Sequence, residues 1–493
     1  MTDKLTSIRW ILAFILGLST FSQAQERPDI LFIAIDDMND WVEPLGGHPQ
    51  AKTPNINALA ERGMLFTNAH APGAACLPSR TAILTGVSPF NSGIYEQAGD
   101  WRIDLENITT LPRYFRDNDY RTLGGGKLFH AHTYSLDGFQ GQQDTSAWDA
   151  YFPSLERQLV DEVRPAPGQT PGPAVGNGRQ SGDFDFYPVV VTDSAMGDGQ
   201  TVSWISRELE AAYTGPRFIS AGIYRPHLPW YVPQRYFDMH PLEQVLLPEY
   251  LENDTSDIPD SALFGQEVSM GPDTMDWVRQ NGGTGKWQEA VQGYLASMSY
   301  SDAMVGELIA ALDRSGRADN TIIVLWSDHG FHLGEKERWG KMTLWEESSH
   351  VPFIIVAPGI TTPGSSTDEV VSLQSIYATL AELSGLEVPE HVDGNSLLPL
   401  LRNPDMEWDD VATTTFGYGN FAVRGDRYRY VVYSDGEEEL YDHANDPNEW
   451  NNLANDPAYQ EIKSAMAGRL PPRSAWTDEI VFPRGSEQTE EGQ

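Results

Sequence analysis

The sequence predicts an α/β protein, in which a large domain with a mixed sheet between helices (about residues 25–405) precedes a smaller antiparallel-sheet subdomain (406–493). Three observations predict this. Short apolar runs alternate with helical patterns over most of the 493 residues, the order produced when helices cross between neighbouring parallel strands. Reactive polar residues recur just past the ends of those runs, where open α/β sheets bind ligands. Near Asn403–Trp408 the rhythm changes to closely spaced alternating segments with tight turns.

Residues 1–24 read as a cleavable signal peptide. Lys4 and Arg9 form a positive n-region, Trp10–Leu18 an apolar h-region, and Ser22-Gln23-Ala24 a small-x-small cleavage site. That apolar run is too short to span a bilayer, and no later one reaches 18 residues. The expected location is therefore periplasmic or secreted, with no membrane attachment after cleavage. Asp29–Ile35, Arg217–Ala221, Thr321–Trp326 and Pro352–Ala357 are expected strands, and Tyr120–Leu123 is another, leaving through a turn at Gly124-Gly125-Gly126. Thr53–Arg62 opens with a Thr-Pro helix start and is closed by Gly63. Asp302–Arg314 places Ala303, Val305, Leu308, Ile309 and Leu312 at helical spacing, with Gly316 beyond. Arg164–Gly182, rich in Pro and Gly, reads as a long surface loop. The subdomain follows with strands at Phe421–Val423, Tyr428–Tyr433 and Glu439–Tyr441, a helix near Pro457–Arg469, and a tail after Arg473 ordered only in part.

Charge excludes some partners. Against 71 acidic residues stand 33 basic ones, a formal net charge of −38, so a nucleic-acid coat or adhesion to anionic lipid is excluded for want of a basic face. A few cations can still make a positive pocket for a small anion. The single cysteine, Cys76, allows neither an intramolecular disulfide nor a cysteine-built zinc knot.

Four segments converge by position. Asp36-Asp37, Lys127 with His130, His227, and Asp328-His329 each lie just past a strand. Asp36, Asp37 and Asp328 make a hard, oxygen-rich set suited to Ca²⁺ or Mg²⁺ rather than zinc, with His329 as a nitrogen ligand or support. In Cys76-Leu77-Pro78-Ser79-Arg80-Thr81, Pro78 suits the first turn of a helix. Cys76 then sits at the positive helix end beside the fixed charge of Arg80. A buried structural cysteine and a bare thiolate nucleophile are the competing readings of that residue.

Cys-x-Pro-Ser-Arg followed by a Thr-Gly turn resembles the signature of type I sulfatases, in which the cysteine is oxidised to formylglycine. The resemblance runs from about Pro28 to Leu453 and includes Thr53-Pro54-Asn55-Ile56, Gly126-Lys127-Leu128-Phe129-His130, Arg225-Pro226-His227 and Ser327-Asp328-His329-Gly330. It continues through Gly340-Lys341, His350-Val351-Pro352 and Glu439-Leu440-Tyr441-Asp442. The Lys-x-x-His spacing and the Asp-His-Gly triplet look most like the iduronate-2-sulfatase-like branch.

The resemblance implies an alkaline-phosphatase-like fold and an exported sulfuric ester hydrolase, with formylglycine formed from Cys76 by a maturing enzyme. It implies one Ca²⁺ on Asp36, Asp37, Asp328, His329 and residue 76, and sulfate held by Arg80, Lys127 and Lys341. It gives His227 the protonation of the leaving alcohol and His130 the proton of the second hydroxyl of a formylglycine diol. Arg102, Arg225, His332, Arg338 and Trp345 lie near these motifs in sequence and are candidates for a sugar subsite. The expected substrates are oligosaccharides from sulfated algal polysaccharides such as ulvan, carrageenan or fucan, with glycosaminoglycan ends also open. A phosphodiesterase or phosphonate hydrolase on the same scaffold, and an inactive binder of sulfated glycans, are the alternatives.

Overall fold

The computed structural model describes residues 27–97, 99–131, 141–165, 184–263 and 272–477. The expected signal peptide, nearly all of the expected Pro/Gly-rich loop, and the end of the tail lie outside the described residues. An eight-stranded sheet forms the centre. Its strands are β1 (Asp29–Asp36), β2 (Met64–Phe66), β3 (Arg121–Gly126), β4 (Ala150–Phe152), β5 (Arg217–Pro226), β6 (Thr321–Ser327), β7 (Phe353–Val356) and β8 (Ser365–Thr367). They lie in the order β8-β2-β7-β6-β1-β5-β3-β4. β6, β1, β5, β3 and β4 are mutually parallel, while β7 runs antiparallel to both neighbours.

Every residue of β1 is buried, and its side chains alternate between two cores. Leu31, Ile33 and Ile35 face a layer dominated by the helix Thr284–Ser315, which supplies Tyr294, Leu295, Met298, Val305 and Leu308. Ile30, Phe32 and Ala34 face Ile83 and Leu84 of the helix Cys76–Thr85, with Ile376 and Leu380 behind them. A strand covered on both faces reads as a continuous apolar run, which is why β1, β5, β6 and β7 were visible in the sequence. The Thr284–Ser315 helix has 32 residues, so the expected Asp302–Arg314 helix is its last part only. Its residues Gly293–Asp302 are all buried, and many of them are small or hydroxylated (Gly293, Ala296, Ser297, Ser299 and Ser301), which blurs a helical stripe.

The three glycines expected as a turn belong instead to the end of β3. They are there for close approach. A Cβ on Gly124 would come within 2.5 Å of the Tyr151 ring, and one on Gly126 within 1.9 Å of the Gly222 carbonyl oxygen. Gly126 also has φ +76°, the left-handed region that favours glycine. The bend there turns the chain so that Lys127, donating its N–H to the Gly222 carbonyl, enters the site.

The C-terminal region forms the expected antiparallel sheet, with four strands: β9 (Ala412–Thr415), β10 (Phe421–Arg424), β11 (Tyr428–Val432) and β12 (Glu438–Asp442). The helix Gln460–Ala467 covers Tyr430 and Leu440 through Ile462 and Met466. Trp345 and Glu346 tie this sheet to the larger one, through Glu439 and through Arg424 and Arg429. Among the described residues no helix is long and apolar enough to cross a membrane.

Gly126→Ala should cost more than about 2 kcal/mol, because both the conformation and the space there exclude a Cβ. Urea unfolding at the wild-type midpoint would contradict this account of the β3 end.

Candidate active site

β6, β1, β5 and β3 are adjacent and parallel, so their carboxyl ends open on one edge of the sheet. β1 ends in Asp36, β5 leads to His227, β6 leads to Asp328, and β3 leads to Lys127. The four segments that the sequence placed past strands are thereby brought together. Asp37 adopts φ +60°, costly for a residue with a side chain, and is held there by its neighbours. Its N–H donates to Asp328 Oδ1 (3.1 Å) and the Met38 N–H to Ser327 Oγ (2.9 Å). The Tyr294 hydroxyl bridges the bend, donating to the Asp37 carbonyl (2.8 Å) and accepting from the Asn39 N–H (3.0 Å).

Cys76 is the first residue of its helix and fully buried, with Pro78 in the first turn. Its Sγ lies 3.1 Å from Lys341 Nζ, 3.2 Å from His329 Nε2, 3.6 Å from Lys127 Nζ and 3.9 Å from Asp37 Oδ1. Burial alone would raise the thiol pKa, but Lys127, Lys341 and His329 bring it well below the ordinary cysteine value. The cations are themselves anchored. Arg80 donates from Nε to Asp328 Oδ2 (2.6 Å), from Nη2 to Asp36 Oδ1 (3.0 Å), and from Nη1 to the carbonyls of Lys127 and Leu128. Lys127 Nζ reaches Asp36 Oδ2 at 2.6 Å, and Lys341 Nζ reaches Asp37 Oδ1 at 2.5 Å.

Three carboxylates and three cations thus share one buried site. Burial would raise the Asp36 pKa, yet Lys127 and Arg80 hold it well below the usual carboxylate range. Burial pushes Asp328 up to about 7 against the pull of Arg80. Its oxygens nevertheless receive hydrogen bonds from N–H donors of Arg80, Asp37 and His329, the arrangement of an ionised carboxylate. Burial also lowers His130, and its hydrogen bond to the Cys76 side chain opposes that shift. His227 Nδ1 bonds the Leu228 carbonyl at 2.6 Å, which puts its proton on Nδ1 in the neutral ring and turns Nε2 towards Asp37 Oδ2, 4.0 Å away. His329 is fixed in the same way by Gly330 (2.9 Å).

The donor set fits a metal ion. Asp36, Cys76, Asp328 and His329 present one ligand atom each, all within 4.8 Å of one another, and Asp36, Asp37, Cys76 and His227 form an overlapping group. Three carboxylates with at most one or two nitrogens favour a hard cation of the Ca²⁺ or Mg²⁺ type.

The sugar-subsite candidates are placed differently from one another. Arg102 is half-exposed and paired with Asp100. Arg225 is buried, paired with Glu162, and donates to the His227 carbonyl (3.2 Å), so it braces the segment that carries His227. His332 is buried, with Nε2 against Thr343 Oγ1 (2.8 Å), and Trp345 is buried and donates to Glu439 Oε2 (2.9 Å). Arg338 is also buried. Arg225, His332, Arg338 and Trp345 were expected beside a sugar because they neighbour the motifs in sequence. The structure seats all four in the interior, the ordinary place for residues next to a buried motif. Sequence reasoning missed Ser327, Tyr294 and Asp198, the last accepting from the Tyr224 and Arg225 N–H groups. Their partners are far away in sequence, so no local pattern signals these roles, although Ser327 stands inside the Ser327-Asp328-His329-Gly330 motif.

A sulfatase family model matches residues 28–386, and a model for the C-terminal part of N-sulphoglucosamine sulphohydrolase matches 334–475. A sulfatase of Formosa agariphila is 37% identical over 92% of this chain and 88% of its own. Human iduronate 2-sulfatase is 30% identical over 80% of this chain and 78% of its own, and an ulvan-active sulfatase of Formosa agariphila 27% identical over 95% and 87%. Among solved structures, a protein in complex with its substrate D-glucosamine-2-N,6-O-disulfate superposes with TM-score 0.69 at 21% identity, covering 90% of this chain and 96% of that one. A phosphonate monoester hydrolase of Agrobacterium radiobacter does so with TM-score 0.69 at 23% identity, covering 91% and 96%. The fold is the alkaline-phosphatase-like fold of these enzymes. The chain belongs to the sulfatase family. It is a sulfuric ester hydrolase.

The interior placement of His332 has a measurable consequence. Burial, then Arg338 and Lys336, lower its pKa to about 3, against the ordinary 6.5. Below pH 6.5 the unfolded chain binds a proton that the native site refuses, so stability is lost as pH falls from 6.5 towards 3. His332→Asn should flatten the slope of unfolding free energy over pH 6–4 by up to about 1.4 kcal/mol per pH unit. Unchanged slopes in urea titrations across that range would show that His332 is not held neutral.

Proposed function

We propose that this chain hydrolyses the sulfate ester of a sugar at an oligosaccharide end, outside the cytoplasm, with Cys76 converted to formylglycine by a maturing enzyme and one Ca²⁺ held by Asp36, Asp37, Asp328, His329 and residue 76. The observation that carries this reading is the ring of Lys341, His329 and Lys127 around Cys76 Sγ, backed by carboxylates. The hydrated aldehyde and the ion together supply an oxygen nucleophile of lowered pKa where Sγ now lies.

The remaining chemistry belongs to side chains. Lys127 and Lys341 reach the reacting atom from two sides and neutralise sulfate oxygens as charge moves onto them. Arg80, bonded to Asp36, Asp328 and two carbonyls, fixes the carboxylates and adds its charge at close range. His227, in its doubly protonated form, delivers the Nε2 proton to the departing alcohol oxygen and is left with the Nδ1 proton that Leu228 holds. His130, held low by burial and bonded to residue 76, accepts the proton that must leave that side chain for sulfate to depart.

The substrate class is supported by the names of three similar proteins, which refer to iduronate, ulvan and a glucosamine disulfate. A surface of net charge −38 repels a long polyanion. Over distances beyond about 8–10 Å that field is screened at physiological salt, so a recessed cationic pocket can take one terminal sulfate. The catalytic unit is residues 25–405 and the subdomain 406–493. The phosphonate hydrolase reading draws on an equal TM-score. The greater identity to sulfatases weighs against it.

The deciding experiment offers defined oligosaccharides from ulvan, carrageenan, fucan and glycosaminoglycans beside phosphonate and phosphate mono- and diesters, and assays the inorganic product. Sulfate release from short oligosaccharides, lost by about 10³-fold or more in Cys76→Ser with its melting unchanged, is expected. Release of phosphate or phosphonate without sulfate would overturn the proposal, and equal rates on intact polymer would overturn the end-acting part.

A further inference from the structure

Tyr224 stands between Lys127 and His227, and the chemistry assigned above gives it no part. It lies three residues before His227 at the end of β5. The His227 N–H donates to its carbonyl (3.0 Å), a tight turn that brings the two rings into contact. Their centroids are 4.8 Å apart, with the planes tilted by 35°. Lys127 Nζ lies over the same tyrosine ring, 5.1 Å from its centroid. The apolar neighbours of the ring are Leu159 and Ala131, the residue after His130.

The turn is clamped on all sides. The Tyr224 and Arg225 N–H groups donate to the Asp198 carboxylate (2.8 and 3.1 Å). The Ser301 hydroxyl donates to the Arg225 carbonyl (2.7 Å), and Trp230 Nε1 to the Pro226 carbonyl (2.7 Å). Tyr224 is itself buried, so its ring is a fixed wall.

His227 needs such a wall. Its Nδ1 bond to Leu228 is one point of attachment, and a ring held at one atom can still tilt about it. Contact with Tyr224 is a second point, and the two together set the direction of Nε2. Proton transfer requires the donor within hydrogen-bond reach of its acceptor. A misplacement of about 1 Å can cost about 10²-fold in rate. The ring also suits the charges beside it, because the face of an aromatic ring attracts cations. It can hold Lys127 and doubly protonated His227 without adding a fourth carboxylate to the site.

We propose that Tyr224 is a positioning residue for departure of the alcohol, its ring aiming His227 Nε2 at the ester oxygen. In that step the sulfur passes from the alcohol oxygen to the oxygen on residue 76. The electron pair of the broken S–O bond stays on the alcohol oxygen, which the Nε2 proton neutralises. A weakly basic leaving group carries that pair unaided, whereas a sugar alkoxide does not. Dependence on Tyr224 therefore grows with the basicity of the leaving group, whereas a residue that only fills the core would affect all substrates alike. This rests on the role given to His227 above and adds the group that holds it.

The test compares the wild-type holoenzyme with Tyr224→Leu and Tyr224→Met, two ring-free variants of different shape, and with Tyr224→Phe and His227→Asn. The substrates are 4-nitrophenyl sulfate, phenyl sulfate and the sulfated oligosaccharides of the screen above, whose leaving groups rise in basicity in that order. In kcat/KM, His227→Asn should lose about 10²–10⁴-fold more on the oligosaccharide than on the 4-nitrophenyl ester. The ring-free variants should follow the same trend, with an extra loss of about tenfold or more on the oligosaccharide. Tyr224→Phe keeps the ring and should restore the wild-type trend. Equal loss across the series in the ring-free variants, or none, overturns the proposal and leaves the reading of His227 intact. A wild-type trend in His227→Asn overturns that reading, and the positioning role with it. A second readout needs no turnover: NMR of the chain labelled with ¹³C at histidine Cε1, with the His227 signal assigned through His227→Asn. That signal should move in the ring-free variants and return in Tyr224→Phe. A signal that stays in place without the ring overturns the proposal.

Discussion

The structure depends on keeping Asp36, Asp37 and Asp328 charged although all three are almost wholly buried. An isolated buried carboxylate costs several kcal/mol or gives up its charge, so each needs a cation or several N–H donors. Arg80, Lys127 and Lys341 meet that need, and each comes from a different part of the chain. The fold must therefore deliver six charges to one point. Parallel strands do this economically, because adjacent carboxyl ends already converge at one edge of the sheet.

Much of the local architecture follows from that demand. Arg80 can span Asp36 and Asp328 only because the Cys76–Thr85 helix is buried against β1 and β6, with its first turn at the strand ends. Lys127 reaches Asp36 only because Gly126 and Gly222 let two backbones approach within the space of a missing Cβ. Asp37 points inward only because Tyr294, Ser327 and Asp328 hold a bend that its own side chain disfavours. A buried ion network of this kind is weak evidence for stability. Its value lies in fixing charges before a substrate arrives, so that little reorganisation is left for the reaction.

This division explains what was legible in the sequence. Strands covered on both faces announce themselves as apolar runs, and the first polar residue after each run is where the chain leaves the core. Asp36, Lys127, His227 and Asp328 were readable for that reason, and Cys76 through Pro78 and Arg80. The β3 glycines were misread as a turn because glycine marks both a turn and a close approach. The part of the Thr284–Ser315 helix ahead of Asp302 was invisible because its all-round buried stretch, Gly293–Ser301, is rich in small and hydroxylated residues. Tyr294, Ser327 and Asp198 act through pairings far along the chain. The interior seats of Arg225, His332 and Trp345 follow from tertiary packing that sequence proximity to a motif does not report.

The six site charges formally cancel, three against three. On the proposed reading, a bound dication alone leaves the site two charges positive, and a sulfate dianion beside it restores neutrality. Each should then strengthen the other's binding by the same factor. Calcium titration of the holoenzyme by calorimetry, with and without inorganic sulfate and with chloride matched for ionic strength, tests this directly. One Ca²⁺ per chain, bound at least about fivefold more tightly with sulfate present and lost in Asp328→Asn, is the predicted result. Calcium binding that sulfate leaves unchanged or weakens, or that survives in Asp328→Asn, would contradict the charge-balanced site.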